Sequence, residues 1–152
     1  MLEYPADAAR NLLRAGDVTL TVSSEESAFH PKGDVLDGLQ GSSWLAQAED
    51  ERPWLRIELE KPLRAKELVL GPAGASAVSS RTLAVLEAVE LRLNGDKDTL
   101  TIRMDPDARK KTRFALPRST LVRSLELVFT EVKREPGQLP GRLIGLAEIE
   151  LR

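Results

Sequence analysis

A chain of 152 residues is long enough for one domain with a real core. Its formal net charge of −2 gives no reason to expect nucleic acid as a partner, because that binding wants an excess of Lys and Arg on one face. Having no Cys, it can form no disulfide, Cys-ligated zinc site or thiol nucleophile, and with aromatics at only 4% each ring carries information.

The opening "MLEYPADAARNLLRAGD" has no basic head and no long apolar run, so it does not read as a signal peptide. No segment approaches the ~18 apolar residues of a membrane span. Pro5 to Leu13 is the one helical candidate, with Pro at a helix start and Leu12 and Leu13 able to dock. A linker from an upstream domain competes with that reading. The expected division is therefore an N-terminal extension, linker or short helix over 1–14 and a single β domain over 15–152. The chain is expected to be either cytoplasmic or one module of a longer exported protein.

From residue 17 onward the pattern is short alternation. "DVTLTV" sets Val18, Leu20 and Val22 on one side, and "WLRIEL" does the same with Leu55, Ile57 and Leu59. "VELRLN", "TLTIRM", "SLELVF" and "LAEIEL" follow the same rule, the last with Glu148 and Glu150 opposite Ile149 and Leu151. Period two with one apolar face is the mark of half-buried antiparallel strands. "HPKGD", "EKP", "LGPAGAS", "NGDKD", "MDP" and "EPGQLPG" read as the turns between them, with a hairpin around Asn94-Gly95. Eight or so such strands without a βαβ rhythm predict an all-β, antiparallel sandwich.

The stretch "DVLDGLQGSSW", Asp34 to Trp44, is turn chemistry closed by a Trp. An ordinary surface turn, a metal loop and part of a ligand site are all compatible with it. The order of features around it is more specific. Asp37-Gly38, Ser42 and Trp44, then Trp54, Leu55, Ile57, Glu58, Leu59 and Pro62, then "VRSLELVF" and "LAEIEL", resemble the discoidin, or coagulation factor 5/8 type C, domains and the related family 32 carbohydrate-binding modules. The resemblance covers about residues 17–152 and implies a galactose-binding-like jelly roll, in which Trp44 and Trp54 are mainly core.

The resemblance also implies a structural calcium between the acidic loop and the last strand. Asp37 and Glu148 would supply carboxylates, Ser42 its hydroxyl and carbonyl, and Val35, Leu39 and Ala147 carbonyls, which suits the six to eight oxygens the ion wants. Leu39 departs from the Asp or Asn frequent at that place in such loops. Asp37 making an Asx-turn, with Glu148 on a solvated strand face, is the competing reading.

One His, no Cys and no Gly-x-Ser-x-Gly elbow leave little for nucleophilic catalysis, so a binding module rather than an enzyme is expected. By resemblance the ligand is a glycan or polysaccharide, the setting a larger multidomain protein, and the location extracellular or periplasmic. Candidate ligand-binding residues are Phe29 and His30 in "SAFHPKG", with Arg81, Arg113 and Arg142 as hydrogen-bonding partners. Phe29 is either an exposed platform or the buried anchor of its loop. Two departures weaken a typical sugar site: Leu86 stands five residues after Arg81 where galactose binders often have Asn, and "KREPGQLPGR" carries no aromatic. A protein-interaction domain on the same fold is the alternative. Membrane-surface binding is disfavoured by the acidic surroundings of Phe29.

Overall fold

The computed structural model describes residues 11–14, 17–29, 31–37, 43–73, 83–107, 110–134 and 143–152. Seven strands run in the order β1 (Val18–Val22), β2 (Trp44–Leu45), β3 (Trp54–Pro72), β4 (Val85–Leu93), β5 (Leu100–Arg103), β6 (Thr112–Lys133) and β7 (Gly145–Leu151). A short 3₁₀ helix, Lys32–Leu36, lies between β1 and β2. All six stretches of sequence alternation fall in strands.

Two long strands make the sandwich. β3 has 19 residues and β6 has 22, and each serves both sheets. Over Trp54–Glu58, β3 pairs with β1 on one side and with β6 on the other; β6 continues to β4, and β4 to β5. That is the front sheet. Over Glu67–Leu70, β3 pairs again with β6, through Thr112–Ala115, and with β7, whose edge is met by β2. That is the back sheet.

The crossing between sheets is written in prolines. The β3–β6 register slips between Glu58 and Leu63 and again between Ala65 and Glu67. Pro62 and Pro117 lie in these irregular stretches, where a missing N–H costs no ladder bond. Arg118, next to Pro117, takes a left-handed φ of 50°, and the Thr120 hydroxyl donates to the Pro117 carbonyl at 2.7 Å. The "EKP" turn expected at Glu60–Pro62 is therefore a bulge inside β3 rather than a chain reversal. The back-sheet half of β3 escapes the alternation rule because Leu68, Val69, Leu70 and Gly71 are buried on both faces.

The core between the sheets contains Leu55, Ile57, Leu68, Leu70, Leu91, Ile102, Leu125, Leu127 and Ile149, each at 1% exposure or less. Trp44 from the back sheet meets Phe129 from the front sheet, ring centroids 5.7 Å apart and planes tilted by 58°. Trp44 is core, as expected. Trp54 is not: it shares the parity of Arg56 and Glu58, so it stands half-buried on the outer face with the Arg56 guanidinium 5.5 Å above its ring. The hairpin turn at Asn94-Gly95 is present, with φ of 55° and 69°, the left-handed pair that Asn and Gly adopt most easily.

Residues 11–13 are not helical. Leu12 N–H donates to the Leu151 carbonyl at 2.7 Å, the Asn11 side-chain carbonyl accepts from Leu151 N–H at 3.1 Å, and Leu13 is buried in the core. This end of the N-terminal segment packs as part of the domain. The remainder of the proposed helix lies outside the described residues.

Gly145 is the tightest backbone position. A Cβ there would sit 1.7 Å from the Trp44 carbonyl oxygen and 2.9 Å from Leu45 Cα, and backbone cannot yield to it as a flexible side chain would. Gly145→Ala is expected to unseat β2 and cost about 3 kcal/mol, read as a lowered midpoint in urea unfolding. An unchanged midpoint would show that β2 does not need this close approach.

Candidate functional site

The loop after β1 is pinned on several sides. The Asp50 carboxylate accepts from the hydroxyls of Ser23 at 2.5 Å and Ser24 at 2.7 Å, and from Arg52 N–H at 3.3 Å. Ser23 and Ser24 in turn accept from the backbone N–H groups of Trp54 and Gln47, each at 3.0 Å. Trp44 Nε1–H donates to the Ser24 carbonyl at 2.8 Å, and Glu26 N–H to the Leu45 carbonyl at 2.8 Å. Farther along, Lys32 N–H is held by the Glu25 carboxylate at 2.7 Å. Asp50 was missed by the sequence reading because a lone Asp in "AEDERPW" carries no spacing signal. Only the fold brings it to the two serines.

Between these anchors stands Phe29, 86% exposed. Its N–H donates to the Ser27 hydroxyl at 3.2 Å, and its ring is in solvent. Of the two placements expected for Phe29, exposed or tucked under its loop, the exposed one is observed. His30, Arg81 and Arg142 lie outside the described residues. Arg113 is on β6 opposite Val69, on the outer face of the back sheet, where it is exposed and pairs with Glu67 at 3.5 Å.

The donors inferred for calcium can be tested in part, since Leu39 and Ser42 also lie outside the described residues. Val35 is 1% exposed and its side chain belongs to the core. Asp37 follows the 3₁₀ helix, exposed, with its N–H donating to the Asp34 carbonyl at 3.4 Å. Ala147 and Glu148 are buried on β7. Glu148 is already committed: Lys111 Nζ lies 2.5 Å from its carboxylate and 3.2 Å from that of Glu150. Arg152 adds a second cation to Glu150 at 3.3 Å. Ser43 Oγ, buried beside the loop, has no hydrogen-bond partner, but one neutral oxygen does not replace a carboxylate. Among the described residues no group of three or more His, Asp or Glu side chains is placed to hold a metal. Of the described donors, the Glu148 carboxylate is neutralised by an ammonium and Asp37 is exposed.

Burial alone would lower the Lys111 amine, but its hydrogen bonds and charge interactions with Glu148 and Glu150 outweigh burial and hold it above the ordinary lysine value of 10.5. A raised lysine stabilises the fold fully below the unfolded value and ceases to do so as pH climbs through the folded one.

No family model matches the chain, and no curated protein matches it. Solved structures do. The family 32 carbohydrate-binding module of NanJ from C. perfringens, solved with galactose, superposes at a TM-score of 0.69 with 13% identity over 90% of this chain and 94% of that one. An F5/8 type C domain from Bacteroides fragilis gives 0.66 with 16% identity over 91% and 93%. The fold is that of the discoidin-like, galactose-binding β-sandwiches. A third match, at 0.68 with 21% identity, is to arabinofuranosyltransferase AftD from Mycobacteria; there 89% of this chain corresponds to 11% of the larger protein. The discoidin-like architecture thus also occurs as a small part of a much longer chain.

Lys111→Met is expected to destabilise the domain by about 1–3 kcal/mol, a buried-pair loss discounted because the lysine is partly exposed. Thermal melts of the unaltered protein should be the same with calcium or with a chelator. A calcium-dependent rise in melting temperature would overturn the assignment of Glu148 to Lys111. The Lys111 contribution should also fade above pH 10.5 in the unaltered protein and be missing at every pH in the variant.

Proposed function

We propose that this chain is a non-catalytic glycan-binding module serving a larger protein, and that it meets the sugar at the loop rim carrying Phe29. The observation that carries this reading is a ring 86% exposed on a loop pinned at both ends. Leaving a phenyl ring in water forgoes about 1.5–3 kcal/mol of burial, and the loop's own anchors do not use the ring. An exposed aromatic on a pinned loop is what a pyranose face stacks on. The similarity to a module solved with galactose supports the ligand class.

A protein-docking face is less well supported. Apart from Phe29, the exposed large hydrophobic residues among the described ones are Leu12, Val85 and Leu121, which stand on the N-terminal segment, β4 and β6. Single apolar residues of that kind are ordinary surface rather than a patch.

The test is a glycan array probed with the purified domain and with Phe29→Ala. The unaltered protein should bind a related set of glycans. The variant should lose about tenfold or more in affinity, as expected for a stacking contact and its burial, with no change in melting temperature. A folded domain that binds no glycan would overturn the function. A variant that binds undiminished would overturn the site.

A further inference from the structure

We propose a second saccharide site, on the outer face of the front sheet, where Arg92 and Arg123 bind a sugar residue carrying a single negative charge. The ligand class rests on the glycan-binding reading above; the charge and the location go beyond it. A cleft of about 520 Å³ opens on this face, within the ~300–1,000 Å³ of small-molecule sites. Strand register builds it. Arg56 on β3 stands opposite Glu126 on β6, and Glu126 stands opposite Arg92 on β4. One step along the same face Glu58 is opposite Ser124, with Arg123 just before it at the bend of β6.

The charges do not cancel. Arg56 gives both Nε at 3.1 Å and Nη2 at 2.7 Å to one oxygen of Glu126, which ties that carboxylate to Arg56. Among the described residues Arg92 and Arg123 have no ion-pair partner, although both line the same cleft. The outer face of the back sheet is the contrast: there Lys111, Arg113 and Arg152 are all matched to Glu148, Glu150 and Glu67.

The cleft is also held in shape. The Asn94 side-chain carbonyl accepts from Arg123 N–H at 2.6 Å and Ser124 N–H at 3.2 Å, and its amide donates to the Leu121 carbonyl at 2.9 Å. The β4–β5 turn thus fixes the backbone that carries Arg123, while Gly95 from the same turn lines the wall. Two guanidinium forks suit a carboxylate or sulfate oxygen pair, and carry charge-assisted hydrogen bonds stronger than neutral ones. Glu58 faces the same space, accepts sugar hydroxyls, and repels a second anion. That combination selects a hydroxylated ring with one acidic group over a polyphosphate backbone.

The experiment is calorimetric titration of tetragalacturonate, a sulfated galactan tetrasaccharide and neutral galactotetraose into the unaltered domain, Arg92→Gln/Arg123→Gln, Glu58→Gln and Phe29→Ala. Both arginines are exposed, so the double variant should fold, checked by its circular-dichroism melt. At least one charged saccharide should bind the unaltered protein, more weakly as salt rises. Its affinity should fall by about tenfold or more in the double arginine variant, rise in Glu58→Gln, and hold in Phe29→Ala. The carboxylated and sulfated arms show which acid the cleft prefers. Charged saccharides that bind the double arginine variant undiminished, or bind only through Phe29, overturn this site and leave the glycan-binding function standing. Binding of the neutral saccharide alone, through Phe29, does the same. No binding of any saccharide by folded protein overturns both.

Discussion

Trp44 is the contact on which the rest of the molecule leans. Its ring packs on Phe129 across the two sheets, its indole N–H holds the Ser24 carbonyl, and its own carbonyl fills the place where residue 145 would carry a Cβ. One side chain thereby ties the back-sheet edge, the front sheet and the loop after β1. A buried Trp is large enough that losing it would cost about 3–5 kcal/mol, a large part of the stability of a domain this size. The position of the candidate sugar platform follows from the same contact, because Trp44 holds Ser24 near the start of the loop that carries Phe29.

The two proposed sites, at the loop and on the sheet face, are built in different ways. At the rim, an apolar ring is left in water and the backbone beneath it is fixed by carboxylate and hydroxyl acceptors, chiefly Asp50. On the front sheet, strand register lines up charged side chains whose sum is not zero, and the Asn94 turn fixes the end of the row. The back sheet shows the alternative outcome of the same strand chemistry. There each described carboxylate on the outer face has a cation, and the surface is closed rather than receptive. Lys111 belongs to that closure: it neutralises Glu148, a carboxylate at 8% exposure that would otherwise be buried unpaired, and shares Glu150 with Arg152.

Much was legible in the chain itself. Strict alternation in "WLRIEL" and "SLELVF" marked strands with one wetter face, Asn94-Gly95 marked its turn, and the ordered set from Asp37 to "LAEIEL" pointed to the discoidin-like sandwich that the superpositions show; "LAEIEL" is a strand too, but its expected solvated face is buried, Glu148 and Glu150 included. Sequence reading failed where burial is two-sided. Leu68 to Gly71 have no polar face to alternate with, and Pro62 looked like the end of a strand when it is the bulge that lets one strand serve two sheets. The resemblance also misplaced Trp54, which it implied to be mainly core, whereas the parity of its neighbours puts it outside.

What the sequence determined by itself is therefore the set of strands, most of the turns and the class of fold, since these depend on periods of two and on residues with special φ. What only the tertiary structure decided is which side chains face one another. Phe29 is exposed rather than tucked under its loop, Glu148 faces the Lys111 ammonium, and Arg92 and Arg123 share a cleft without an ion-pair partner among the described residues. The physical reason is that each of these depends on residues distant in sequence, Glu148 and Lys111 or Ser23 and Asp50, whose proximity is set by how β3 and β6 bend from one sheet into the other.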